Sequence, residues 1–152
     1  MNIRRGLNND IDSLLKNRIE FLNLVSNHDK VFSEEFLAIS YNLIKQGIET
    51  ESIVVFLAEE AGKIVSVAMV CYYNLIPSLK NLTGKTGYIQ NVYTVLEYRG
   101  RGLASELMNR IREDAKSRGV GRLILNATDM GRPIYEKLGY KMAINEMICE
   151  LD

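Results

Sequence analysis

The sequence predicts a mixed α/β domain, a twisted and mostly antiparallel sheet with one parallel strand pair, flanked by helices. Two patterns predict it. In the second half, strand-like and helix-like segments alternate, which demands at least one parallel crossover. In the first half, two aliphatic runs are joined by a short glycine-bearing turn, which makes a hairpin. The 152 residues are expected to form one domain, 1–152. A chain of that size buries about 68–70% of its unfolded surface and needs no disulfide or metal to fold.

Each element has a local reason. Residues 2–5 read as a short first strand. Asn8, Asn9 and Asp10 offer side-chain acceptors for the free amides of a helix start. Ile11, Leu14, Leu15, Leu22 and Val25 then recur at helical spacing. Ser33, Glu34 and Glu35 open a second helix, with Phe36, Leu37, Ile39, Leu43 and Ile44 within it. Gly47 is expected to end it, since glycine takes a left-handed cap freely. Residues 52–58 and 64–73 form the hairpin. Residues 76–86 read as a loop and 88–96 as a strand rich in β-formers. In residues 102–118, Leu103, Leu107, Ile111 and Ala115 follow one another by four, marking a long helix that Gly119 and Gly121 stop. A short strand at 123–125, a short helix at 133–138 stopped by Gly139, and a last strand at 140–151 complete the order.

Composition excludes several function classes. Nineteen basic and nineteen acidic residues cancel, which argues against a nucleic-acid or anionic-membrane binder. No apolar run approaches the ~18 residues of a membrane span, and the charged start has no apolar stretch behind it. Cys71 and Cys149 make neither a disulfide framework nor a metal cluster, and read as reduced, semi-buried thiols of a cytoplasmic protein. One histidine, His28, leaves little room for a zinc site or a histidine base; no metal is expected. Gly84, Lys85 and Thr86 imitate the end of a phosphate loop, but Leu79 stands where its first glycine belongs. Tyr72 and Tyr73 read as packing, and Met142 and Met147 as core filler.

The sharpest feature is Arg99, Gly100, Arg101, Gly102, Leu103, Ala104 between a strand and a helix. The first amides of a helix lack internal partners, and the helix dipole makes that end positive. Such an end binds a diphosphate directly through the main chain. Gly100 and Gly102 let the anion approach where a Cβ would hold it off. Residues 99–122 carry a net charge of +4 inside a neutral chain, and residues 29–60 carry −5. Arg99 and Arg101 are candidate phosphate contacts. The acidic stretch, with Glu34, Glu35, Glu49 and Glu51, is a candidate attractor for a cationic substrate.

This stretch resembles the acetyl-CoA motif of the GNAT acetyltransferases, whose pattern is Gln/Arg-x-x-Gly-x-Gly/Ala. Arg99, Gly102 and Ala104 fit it. Tyr135, Glu136, Lys137, Leu138, Gly139 and Tyr140 resemble the family's closing helix and turn. The resemblance implies an N-acetyltransferase with acetyl-CoA as co-substrate and a small-molecule or peptide amine as acceptor. It implies that the pantetheine arm runs along the main chain of Tyr93, Thr94 and Val95, entering where the fourth and fifth strands diverge. It implies that the diphosphate sits over Gly100, Arg101, Gly102, Leu103, Ala104 and Ser105, and that Asn126 is a polar contact to the cofactor. Tyr135 falls where the family often places a tyrosine near the thioester sulfur, and a phenol with pKa near ~10 can protonate a departing thiolate at neutral pH.

The sequence departs from the family at Gln90, where relatives often carry a glutamate. Glutamine is no base, so the residue that deprotonates the amine is left open between a water relay and an acid of the −5 stretch. A non-catalytic acyl-CoA-binding or partner-binding domain on the same fold is the alternative, and a nucleic-acid module using the +4 helix is a weaker one. A homodimer is a reasonable expectation for either of the first two.

Overall fold

A computed structural model of the chain describes residues 1–26, 31–143 and 145–151; His28 and Asp29 lie outside them. Five strands lie in sequence order: β1 (Asn2–Arg5), β2 (Ile53–Glu60), β3 (Lys63–Asn74), β4 (Lys85–Thr94) and β5 (Arg122–Leu125). Neighbours pair antiparallel except β4 and β5, which run parallel through a helical crossover. Helices α1 (Ile11–Ser26) and α2 (Glu34–Thr50) precede the hairpin; α3 (Leu103–Ser117) and α4 (Arg132–Lys137) follow β4 and β5.

The two faces of the sheet are read directly from period-two alternation. Val55, Leu57, Val67 and Met69 bury against Ile11 and Leu14 of α1 and Ile44 of α2. Val54, Ala68, Val70 and Ile89 bury against Leu107, Met108 and Ile111 of α3 and Tyr135 of α4. A helix layer therefore covers each side, and β2 to β4 are apolar on both. On α3 the sequence spacing is the burial pattern: Leu103, Leu107, Ile111 and Ala115 are all buried.

The entry to α1 is tied by charge. A 3-10 turn (Asn8–Asp10) precedes it, and Asp10 accepts from the Leu7 amide at 2.8 Å. Arg4 of β1 donates to both oxygens of Asp10 at 2.8 Å and to Glu59 of β2. The Arg4 guanidinium holds the Asp10 carboxyl below the usual carboxylate range, and the two carboxylates push Arg4 up.

Two expectations are corrected. Gly47 does not end α2, which runs on to Thr50 and closes with Glu51 in the left-handed region. Gly47 is instead buried against β2, where a Cβ would stand 2.7 Å from the Cβ of Ile53. The inward stripe of α2 runs through Leu37, Tyr41, Ile44 and Ile48, and Ile39 and Leu43 are exposed. The last strand, 140–151, does not form among the described residues: Met142, Met147, Ile148 and Leu151 are exposed rather than core, and Cys149 is exposed with them. A strand exists only as a pairing, and nothing in β-propensity supplies the partner. Tyr72 does pack: its hydroxyl donates to Asp114 at 2.7 Å and Arg118 lies 4.9 Å over its ring.

The packing of Gly47 gives a stability test. Alanine is worth about 1 kcal/mol more than glycine inside a helix, but overpacking costs about 1–3 kcal/mol. Gly47→Ala is expected to lower the unfolding free energy by about 1–2 kcal/mol, seen as a lower denaturant midpoint with an unchanged slope.

Candidate active site

Strands β4 and β5 pair only over Thr86 to Ile89 and Arg122 to Leu125. Past Ile89, β4 continues beside β3 alone, so its other edge is unpaired through Thr94. A bulge sits at the same point. Met69 pairs with Gln90 and Val67 with Tyr93, leaving Asn91 and Val92 opposite Ala68. Asn91 takes φ of 54°, in the left-handed region. The bulge turns the strand away from β5, and the sheet opens into a wedge.

The mouth of the wedge is the start of α3. Gly102 is its N-cap with φ 77° and ψ 5°, and no side chain caps the helix. The amides of Leu103, Ala104 and Ser105 therefore have no partner inside the helix. Gly100 also has positive φ, 74°, and a Cβ built on either glycine meets no atom within 4 Å. The glycines are needed for backbone conformation, and the space beside them is open.

Arg99 and Arg101 shape this turn from within. Arg99 Nε donates to the Thr94 carbonyl at 2.9 Å, lacing the turn to the end of β4. Arg101 donates to the Glu97 carbonyl at 2.9 Å and lies 4.8 Å over the Tyr98 ring. Val95 donates to Val65 at 3.0 Å, and Thr94 and Tyr93 bond Ser66. So Tyr93, Thr94 and Val95 are anchored on the β3 side. Asn126 is exposed directly after the last residue of β5, across the wedge.

Tyr135 lies on α4 in the cluster that holds Ile89, Leu107 and Met108. Its ring covers Gly131, where a Cβ would stand 2.8 Å from a ring carbon, and packs edge-on to Tyr140 with centroids 6.1 Å apart. Burial, then the neighbouring Tyr140, pushes its phenol above the ordinary tyrosine range. Gln90 is exposed and pairs with Met69, so it belongs to the sheet face covered by α1 and α2.

The acids of residues 29–60 do not gather into one surface. Glu59 pairs with Arg4, Glu51 with Arg5 and Arg118, and Glu49 accepts from Asn8. Glu34 and Glu35 stand in the first turn of α2. Among the described acids of that stretch, Glu51, Glu59 and Glu60 meet cations, whereas Glu34, Glu35 and Glu49 keep their charge.

The sequence is matched by the acetyltransferase (GNAT) family over residues 20–140. The chain belongs to the GNAT acetyltransferases. It is 27% identical over 140 residues to the glucosamine 6-phosphate N-acetyltransferase of Trypanosoma brucei brucei, covering 92% of this chain and 91% of that protein. A predicted acetyltransferase from Clostridium acetobutylicum, crystallised with acetyl-CoA, superimposes with a TM-score of 0.90 at 26% identity over 98% of this chain and 95% of that one. The glucosamine-6-phosphate N-acetyltransferase of Arabidopsis thaliana shares the fold, with a TM-score of 0.70 at 23% identity over 99% and 98% of the two chains. As a GNAT acetyltransferase the protein uses acetyl-CoA as its acetyl donor.

Three features were not found by motif reading. Asn91 is buried, with both polar side-chain atoms lacking a partner among the described residues; its one sequence signal is an asparagine inside a strand, where that residue is depleted. Glu20 and Phe21 come to Tyr93 from α1: the rings of Phe21 and Tyr93 meet edge-on at 6.5 Å. Burial, then the charge of Glu20, pushes the Tyr93 phenol up.

Gly102 tests the mouth of the wedge. A non-glycine residue in the left-handed region costs about 1–2 kcal/mol, and its Cβ would enter the open space. Gly102→Ala is expected to weaken coenzyme A binding about tenfold by calorimetry while lowering the melting temperature by only a few degrees.

Proposed function

We propose that the GNAT domain, residues 1–152, acts in the cytoplasm and acetylates the primary amine of a compact small-molecule acceptor. The observation that carries the reading is the open edge of β4 ending at an uncapped helix start. The diphosphate lies over Gly100 to Ser105, bound by the amides of Leu103, Ala104 and Ser105. Arg99 and Arg101 hold the turn and reach the anion only with what their main-chain bonds leave free. The pantetheine arm takes the place of a strand along Tyr93, Thr94 and Val95, with Asn126 opposite. The buried, unpartnered amide of Asn91 turns to this ligand, because buried polar groups are retained where a bond is supplied.

The chain's own groups then divide the proton work. An alkyl ammonium costs about 4–5 kcal/mol to deprotonate at neutral pH. Gln90 cannot accept that proton, so Glu20, which bears on Tyr93 from α1, takes it directly or through water. The amine attacks the thioester carbonyl, and a main-chain amide of β4 stabilises the oxyanion. The carbon–sulfur bond breaks, and the Tyr135 hydroxyl protonates the thiolate. The similarity to glucosamine 6-phosphate N-acetyltransferases supports a small polar amine over a protein terminus. We also propose a homodimer without nucleic-acid or membrane partners; the exposed apolar side chains of Met147, Ile148 and Leu151 support a protein contact. Among the described residues no helix is long and apolar enough to cross a membrane.

Thiol release from acetyl-CoA against a panel of amines tests the assignment. Tyr135→Phe is expected to lower kcat about a hundredfold with little change in coenzyme A affinity. The acid must be protonated to act, and its pKa is raised, so wild-type kcat should show no tyrosine-linked fall between pH 7 and about 10. Glu20→Gln is expected to lose activity at pH 7 and to recover towards pH 10, where the amine deprotonates unaided; equal loss at both pH values would remove Glu20 as the base.

A further inference from the structure

Arg18 lies on the inward face of α1, one turn after the buried Leu14, and is half-buried. Burial lowers its pKa, as expected of a cation without a partner, and the group opposite it is the Cys71 thiol of β3. Every other half-buried arginine among the described residues is engaged. Arg4, Arg5 and Arg118 hold carboxylates. Arg99 and Arg112 donate to the main-chain carbonyls of Thr94 and Leu138. Among the described residues Arg18 has neither: besides the Cys71 thiol it faces the Phe21 ring, with the guanidinium carbon 5.9 Å from the centroid. That same ring meets Tyr93 at the free end of β4.

A desolvated cation left unpaired costs stability, and chains rarely keep one without a use. Guanidinium is the group suited to compact oxyanions, which it binds through two parallel hydrogen bonds. Its location narrows the ligand. Arg18, Phe21, Tyr93 and Gln90 share the sheet face under α1 and α2, whereas Tyr135 and α3 occupy the other. The donor's diphosphate belongs to the α3 end, so Arg18 serves the other substrate.

We propose that Arg18 is an anion subsite of the acceptor pocket, so that the acceptor is an amine carrying its own oxyanion, a phosphate monoester or a carboxylate. This rests on the acetyl-transfer reading above and narrows its acceptor. Glu20 and Arg18 then meet opposite ends of one molecule: the carboxylate faces the ammonium and the guanidinium faces the anion. The pair fixes which end of the acceptor points at the thioester. Phe21 stacks beneath the guanidinium and keeps its planar fork in place.

The test uses matched acceptors that differ in the anion alone: glucosamine 6-phosphate against glucosamine, and serine against serinamide. For one pair, wild-type KM is expected to be at least tenfold lower for the charged member, and which pair responds distinguishes phosphate from carboxylate. Arg18→Met should raise that KM about 10- to 100-fold, the range of a charge-assisted hydrogen bond, with the neutral acceptor's kcat and KM and coenzyme A affinity unchanged. Arg18→Lys should recover part of the loss. Because methionine replaces an unpaired cation, the melting temperature of Arg18→Met should hold or rise. Turnover with equal KM for charged and neutral members of both pairs would overturn the anion subsite and leave the acetyltransferase standing. So would a variant that loses thermal stability while the KM ratio stays put. Absence of coenzyme A binding, or of turnover with every amine, would instead overturn the reading beneath it.

Discussion

Main-chain hydrogen bonding is the constraint from which the rest of this molecule follows. A strand edge and a helix start are both rows of polar groups that must be paired by something. In this fold β5 leaves β4 after Ile89, and α3 begins at Gly102 without a side-chain cap. Two sets of unpaired groups therefore face one wedge. In the proposed donor complex an extended amide-bearing arm pairs with the first as a strand and its diphosphate caps the second. On that proposal the donor needs few side chains, and backbone geometry at Gly100, Gly102 and the Asn91 bulge matters more than the charges around them.

The arginines show how a basic segment can be mistaken for a binding surface. Residues 99–122 carry an excess of +4, yet much of it is committed internally. Arg99 and Arg101 lace the turn to Thr94 and Glu97, and Arg118 joins Asp114 to Tyr72 and Glu51. Part of the acidic stretch is committed the same way, Glu59 to Arg4 and Glu51 to Arg5 and Arg118. Net charge along a sequence counts groups; only the fold shows which remain free to meet a ligand. Arg18, which no motif singles out, is the one left over among the half-buried arginines of the described residues.

The two groups proposed for the proton work sit on different faces of the sheet. Tyr135, buried over Gly131 and against Tyr140, keeps its proton well into the alkaline range, which suits a donor of protons to sulfur. Glu20 lies on the other side, beside the Tyr93 ring.

Element order, the parallel crossover, the core stripe of α3 and the glycine turn before it were all legible in the residues, because each depends on spacing along the chain. Leu103, Leu107, Ile111 and Ala115 declare their face without help from any distant residue. The misreadings share one cause. Gly47 looks like a helix stop until Ile53 of β2 is placed against it, and residues 140–151 look like a strand until no partner is found for them among the described residues. Arg18, Glu20, Phe21 and Asn91 were silent for the same reason. The sequence determined which segments become helix or strand and where an anion can sit on a helix start, since those are short-range matters of periodicity and steric freedom. The tertiary structure alone decided which polar groups go unpaired, since pairing is a property of residues far apart in the chain and close in space.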